Sequence, residues 1–198
     1  MIRVITGRFK GRMLKAPDEI RPTEDRVKKA LFDILDPEGS DVLELFAGSG
    51  SVGIEALSRA AASVTFVEKA RPSLHALEEN LRLLFPETGG KAPGVEVYPK
   101  DVAQMIPFFA KNGRKFDIIF LDPPYYKGEA EKTLQMLGQY DILHHSGFVI
   151  VQHFKRDVIS EATGDLTAFR QARYGDGLLS FYKKSTQYVQ KGDLPGDI

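Results

Sequence analysis

Asp122-Pro123-Pro124-Tyr125 follows directly on the apolar run Phe116-Asp117-Ile118-Ile119-Phe120-Leu121, so that a buried strand delivers it to a sheet edge. Prolines stop the strand and carry no N–H. The Pro123 carbonyl and the Asp122 carboxylate are therefore presented as acceptors without neighbouring donors to compete. An aromatic amine suits such a corner: acceptors for both of its N–H groups help the nitrogen to pyramidalise and aim its lone pair at an electrophilic carbon. Tyr125 can stack on the ring that carries the amine. Taken alone, these four residues read equally as an ordinary Pro-Pro turn with a packed tyrosine; their company elsewhere in the chain decides.

That company begins at Glu44-Leu45-Phe46-Ala47-Gly48-Ser49-Gly50-Ser51-Val52-Gly53, which follows a strand and opens a helix. Such a turn brings backbone N–H groups up to a ligand at the sheet edge, and glycines allow the close approach. Gly48, Gly50 and Gly53 satisfy G-x-G-x-x-G literally, and Glu68 closes the next strand where a ribose-binding acid belongs, so a dinucleotide is a competing ligand. Glu44 weighs against it. A carboxylate just before the loop repels a pyrophosphate and welcomes a cationic amino acid, and S-adenosylmethionine carries both an ammonium and a sulfonium. In that reading Phe46, Gly48, Ser49 and Gly50 form the cofactor loop and Glu68, with Lys69 beside it, takes the ribose hydroxyls. Asp101 accepts from the adenine amine, and the Val102 N–H serves a ring nitrogen. Asp101 is also a good helix N-cap, and that reading has even weight.

The elements needed to position these residues are legible. Strands are expected at Val42-Leu45, Ser63-Val67, Val95-Tyr98, Phe116-Leu121 and Phe148-Gln152, alternating with helices near 51–60, 71–85, 102–111 and 129–138. This is the pattern of a parallel sheet flanked by helices. Leu166-Tyr174 and Leu178-Lys183, joined across Gly175-Asp176-Gly177, read as an antiparallel hairpin. Ile2-Thr6 and Arg12-Lys15 read as a second, basic hairpin, followed by a helix from Thr23 to Leu35 with Thr23 as its N-cap. The organisation expected is a basic appendage over 1–35, a catalytic domain over 36–185 and a frayed tail over 186–198.

Composition bounds the function. The 198 residues contain no cysteine, which excludes disulfides and thiolate metal sites; no metal is expected. No signal peptide or membrane-length apolar run is read, so a soluble cytoplasmic monomer is expected. The net charge is zero but unevenly spread: residues 1–30 hold nine Lys or Arg against four acids. A polyanion would meet that end.

These residues resemble the RsmD-type 16S rRNA (guanine-N2)-methyltransferases of bacteria. The resemblance runs from residue 2 to about 183 and rests on Arg3 to Arg12, Arg21-Pro22-Thr23-Glu24-Asp25-Arg26-Val27 with its Ala-Leu-Phe helix, Leu45 to Gly50, Gly53 to Arg59, Phe66-Val67-Glu68 and Asp122 to Tyr125. The glycine loop and the Asp-Pro-Pro-Tyr corner are common to many methyltransferases and carry reaction class, whereas the Arg-Pro-Thr segment carries the family. The resemblance implies an α/β class I methyltransferase fold: a seven-stranded, mostly parallel Rossmann-like sheet with an antiparallel C-terminal hairpin, plus the small N-terminal hairpin and helix. It also implies S-adenosylmethionine as cofactor with S-adenosylhomocysteine as product, and 16S rRNA of an assembling small subunit as partner. Asp122, Pro123, Pro124 and Tyr125 would hold the target guanine. Arg3, Arg8, Lys10, Arg12, Arg21, Thr23 and Arg26 would face RNA, with Arg21 and Thr23 near the active-site mouth. Many relatives carry Glu where this chain has Val151-Gln152-His153; His153 is expected to pack rather than catalyse, and His144-His145 to be solvated in a connection.

Three other functions remain open on the sequence: a DNA adenine-N6 methyltransferase with the same corner chemistry, an NAD-dependent oxidoreductase on the literal glycine motif, and a noncatalytic RNA-binding module built on the hairpin.

Overall fold

A computed structural model describes residues 2–17, 25–125 and 128–185. In chain order the elements are β1 (Ile2–Arg3), β2 (Met13–Leu14), α1 (Asp25–Ile34), β3 (Asp41–Leu45), α2 (Ser51–Ser58), β4 (Ser63–Val67), α3 (Arg71–Leu84), β5 (Val95–Tyr98), α4 (Val102–Lys111), β6 (Phe116–Leu121), α5 (Glu129–Gln139), β7 (Leu143–Phe154), β8 (Ala162–Thr163), β9 (Leu166–Tyr174) and β10 (Gly177–Lys184). The sheet order is β5-β4-β3-β6-β7-β10-β9-β8. Strands β5 through β7 run parallel, and β10 enters antiparallel between β7 and β9. This is the expected class I methyltransferase sheet, extended by an eighth strand that the sequence did not announce: β8 has only two residues, too short for an alternation to register.

Period-two alternation sends successive side chains to opposite faces and builds two cores. Val42, Val64, Phe66, Ile118, Phe120 and Ile150 face one side. The apolar residues of α1, α2 and α3 cover them there, together with Ile2, Val4, Phe9 and Leu14 of the N-terminal arm. Leu43, Leu45, Ile119, Leu121, Val149 and Val151 face the other side, under α4 and α5. The N-terminal arm and α1 thus share a core with the sheet and have none of their own.

Two element boundaries differ from expectation for physical reasons. The arm hairpin pairs Ile2 with Leu14 and Arg3 with Met13 and closes through Val4, which bonds to Arg12 and Gly11; beyond it the Ile5 and Thr6 N–H groups go to the Glu55 carboxylate of α2 at 2.7 and 3.0 Å. Strand β7 starts five residues early. Leu143 pairs with Phe116, and the register then slips before Phe148 pairs with Ile118. Exposed His144 and His145 therefore lie within a bulged strand, not in a connection. The expected Thr23 cap, Arg21 and the tail from residue 186 lie outside the described residues. No helix among the described residues is long and apolar enough to cross a membrane.

Candidate functional site

The carboxyl ends of β3, β4, β5 and β6 open on one edge of the sheet, where open α/β sheets bind ligands. Strand β3 ends at Leu45 and the chain turns sharply: Phe46 takes φ 57, Gly48 φ 56 and Gly50 φ 77. Positive φ at a bulky residue such as Phe46 is costly and persists only where the surroundings enforce it. Here the Ala47 N–H donates to the Val67 carbonyl at 3.0 Å and the Gly50 N–H to the Ala47 carbonyl at 2.7 Å, clamping both flanks of the turn. Gly53 is required for packing rather than φ, since a Cβ there would lie 2.5 Å from Phe66 and 2.7 Å from Val64. A Cβ on Gly48 would meet nothing within 4 Å, so that part of the loop borders open space.

Three acids surround the loop, but not all in the expected way. Glu44 is buried behind it. Its carboxylate accepts from the Val52 and Gly53 N–H groups at 3.3 and 2.8 Å, at the start of α2. Burial pushes its pKa up to about 8, against the opposing pull of those two N–H groups and with a further push from the Asp122 charge. Glu44 therefore anchors the loop from within, with both carboxyl oxygens directed at the α2 N–H groups. The reason is local: the first N–H groups of α2 lack helical partners and capture the nearest acceptor. Glu68 is half-buried and spans the loop, accepting from the Gly48 N–H at 2.8 Å and from the Lys69 and Ala70 N–H groups at 2.8 and 2.7 Å. Asp101 caps α4 through the Ala103 N–H at 2.9 Å and pairs with Lys69 at 2.7 Å. The Lys69 ammonium and that N–H hold the Asp101 carboxyl below the usual aspartate range. The cap and the rim position thus coexist in one residue. Val102, next in the chain, is buried.

Strand β6 ends at Leu121, the Cα partner of Leu45. The 122–125 corner and the glycine loop therefore begin one residue beyond the same rung of two adjacent strands. Pro123 is buried, Pro124 exposed and Tyr125 half-buried. The Tyr125 ring lies 6.1 Å from that of Phe154, and the Gln152 amide donates to the Tyr125 hydroxyl at 3.3 Å. A cleft open to solvent is bounded by this corner, Gln152 and the Asp157 to Ile159 segment. His153 is a packing residue. Its Nδ1 faces the Phe154 carbonyl at 3.1 Å and must carry the proton, which leaves Nε2 to accept from the Ser180 hydroxyl at 2.8 Å. Burial lowers its pKa, in keeping with that neutral tautomer.

The basic residues divide into two groups. Arg26, at the start of α1, lies against the β9–β10 turn: a Cβ on Gly175 would come 3.0 Å from its guanidinium. A Cβ on Gly177, on the far side of that turn, would come 3.7 Å from the Tyr125 hydroxyl, so Arg26 stands near the corner. Arg3, Arg8, Lys10 and Arg12 are exposed on the arm. The tip of that arm is fastened to the far end of α2, where the Arg8 N–H donates to the Ser58 carbonyl at 2.7 Å and the Phe9 N–H to the Ser58 hydroxyl at 2.9 Å.

A model of the family described as conserved hypothetical protein 95 matches residues 2–183. Ribosomal RNA small subunit methyltransferase D of Escherichia coli is 33% identical, over 97% of this chain and 94% of its own length. The chain belongs to this family. The Haemophilus influenzae protein of the same name is 36% identical to this member of the RsmD family, over 76% of this chain and 78% of its own. A solved structure, a hypothetical protein from Thermus thermophilus, superposes with a TM-score of 0.79 at 28% identity, covering 92% of this chain and 99% of the other.

Sequence reasoning missed two buried polar residues that shape the site of this RsmD-family chain, Glu55 and Asn80, both 0% exposed. Each left a signal. Asn80 interrupts the apolar stripe Ala76, Leu77, Leu81, Leu84 of α3, and Glu55 lies between Ile54 and Ala56 in a helix buried nearly all round. A polar residue at a core position requires partners: Glu55 has the Ile5 and Thr6 N–H groups of the N-terminal arm and the Arg59 guanidinium, and Asn80 has Lys15 of the arm and Ser49 of the glycine loop.

Proposed function

We infer that this chain is an S-adenosylmethionine-dependent methyltransferase of ribosomal RNA, and we propose N2 of a guanine in small-subunit rRNA as its target. The observation that carries the reading is the pairing of Leu45 with Leu121. Neighbouring strands lie about 4.8 Å apart, so a ligand on the glycine loop and a base at the proline corner would meet end to end. Family membership supplies the substrate class, since the relatives are named for small-subunit rRNA.

The residues around the loop fit the cofactor. Gly48 borders open space, and Glu68 just beyond β4 and Asp101 beyond β5 would take the ribose hydroxyls and the adenine amine. When bound, S-adenosylmethionine would supply a sulfonium methyl: the amine nitrogen would bond to that methyl carbon in line as the carbon–sulfur bond breaks, S-adenosylhomocysteine would leave, and the nitrogen would give up one proton. The chain's own part is alignment: the Pro123 carbonyl and Asp122 take the two amine hydrogens, and Tyr125 holds the plane of the base, so that proximity does most of the work. Asp122 orients the amine and need not be a strong base, because a methylated aromatic ammonium loses its proton readily. The exposed cations of the arm, with Arg26, would hold phosphates.

The direct test is transfer of labelled methyl to small-subunit particles or to DNA, followed by mass mapping of the modified nucleotide. Label at guanine N2 of the RNA is expected. Label in DNA with silent RNA would replace this reading by an adenine-N6 methyltransferase. Calorimetry should show binding of S-adenosylhomocysteine; tight binding of NAD alone would return the glycine motif to a dinucleotide. Asp122→Ala should reduce methyl transfer by at least about a hundredfold while leaving S-adenosylhomocysteine affinity within about twofold.

A further inference from the structure

The buried amide of Asn80 joins two parts of the molecule to which the functional reading gives different ligands. Its Oδ1 accepts from the Lys15 N–H at 2.7 Å, and its Nδ2 donates to the Lys15 carbonyl at 2.9 Å and to the Ser49 carbonyl at 3.0 Å. Lys15 follows β2 in the basic arm, and Ser49 is the middle residue of the Gly48-Ser49-Gly50 turn. Both amide hydrogens are used. One side-chain plane thus satisfies three bonds at once, and few other rotamers could do so in a site with no access to water.

We propose that Asn80 is a positioning residue that couples the arm to the cofactor loop, so that filling the crevice stiffens the arm and RNA held by the arm stiffens the loop. The reciprocal pair with Lys15 resembles one rung of a strand ladder, so the arm is docked through its backbone and not only through side chains. The Lys15 ammonium adds a surface pair with Glu79 at 2.8 Å, which by itself would fasten the arm only weakly. On the loop side the amide is tied to the Ser49 carbonyl. Restricting the loop fixes the amide plane, and a fixed plane holds Lys15; whichever end is ordered first lowers the entropic cost of ordering the other. The coupling must be reciprocal in the two affinities. Glu55 and Ser58 bind the arm from the middle and last turns of α2, beyond the loop that opens it, so they would fasten it apart from the Asn80 route.

The proposal rests on the reading of the crevice as an S-adenosylmethionine site and of the arm as an RNA contact, and its test separates the failures. In the wild-type protein, saturating S-adenosylhomocysteine should slow amide exchange at Lys15 by about fivefold, read by NMR. The affinities for S-adenosylhomocysteine and for small-subunit rRNA, each measured with and without the other, should show a shared enhancement of about fivefold. In Asn80→Leu that factor should fall to about one while each ligand alone still binds; a purely structural role would lower Tm and leave the factor unchanged. S-adenosylhomocysteine that binds without protecting Lys15, or a coupling factor that survives in Asn80→Leu, overturns the proposal. Should the variant fail to fold, the wild-type exchange result decides. Failure of S-adenosylhomocysteine or RNA to bind at all counts against the functional reading itself.

Discussion

Burial keeps the Glu44 carboxyl protonated well above the usual range, to about 8, and this makes a prediction at the scale of one residue. Between an unfolded value near 4.5 and the folded value, the native state holds a proton that the unfolded chain has lost. Stability contributed by this group is therefore present in full below about 4.5 and declines as pH rises through about 8. Gln cannot titrate and still offers an acceptor to the α2 N–H groups. Thermal unfolding of Glu44→Gln beside the wild type, stepped from about pH 5 to about pH 9, should show the difference in Tm moving in favour of the variant as pH rises and levelling off above about 8. A constant difference across that range would show that Glu44 is ionised in the fold. Legibility differed sharply between residues here. The Asp-Pro-Pro-Tyr corner was readable because prolines end a strand whatever surrounds them. Glu44 was readable as an acid near the loop, but not as one turned inward, because that depends on which N–H groups the next helix leaves free.

Between elements, a close approach near the site is that of α2 to β3 and β4 at Gly53. Gly53→Ala would gain helix propensity, but its Cβ would press on Phe66, Val64 and the Glu44 carboxylate, at 2.5, 2.7 and 2.8 Å. The crowding should prevail, lowering unfolding free energy by about 1–3 kcal/mol in denaturant titrations. The arm offers a parallel case. Gly7 has φ 82, and a Cβ there would fall 1.7 Å from the Ser58 carbonyl oxygen. Gly7→Ala should therefore undock the hairpin tip, seen as faster proteolysis near residue 8 with little change in the sheet. Apart from the early start of β7, the parallel strands and their helices could be read from periodicity to within a residue or two, because the central strands are buried on both faces. The arm's strands could not: the Ile5 and Thr6 N–H groups have a side chain of α2 as their partner, and no local pattern encodes a partner 50 residues away.

At the scale of the molecule, charge is segregated, with Arg3, Arg8, Lys10 and Arg12 exposed on the arm of a chain whose net charge is zero. Replacing Arg8, Lys10 and Arg12 by Ala should weaken RNA binding at every sequence tested. It should also flatten the plot of log K against log salt by about 2, as expected when about three phosphate contacts to single-stranded RNA are lost. An unchanged slope would return the hairpin to the status of a solvated edge. Because these cations ride on a hairpin fastened through Glu55, Ser58 and Asn80, the triple variant should retain the wild-type Tm within about 2 °C.

The amino-acid sequence by itself determined the reaction class and the parallel core. Glycines, prolines and apolar runs act through local sterics and periodicity, which do not wait for partners. Tertiary structure alone decided what the buried polar groups do. Glu44 fixes the loop and Asn80 joins arm to loop, because such hydrogen bonds exist only once folding has brought donor and acceptor within about 3 Å and excluded the water that would otherwise compete.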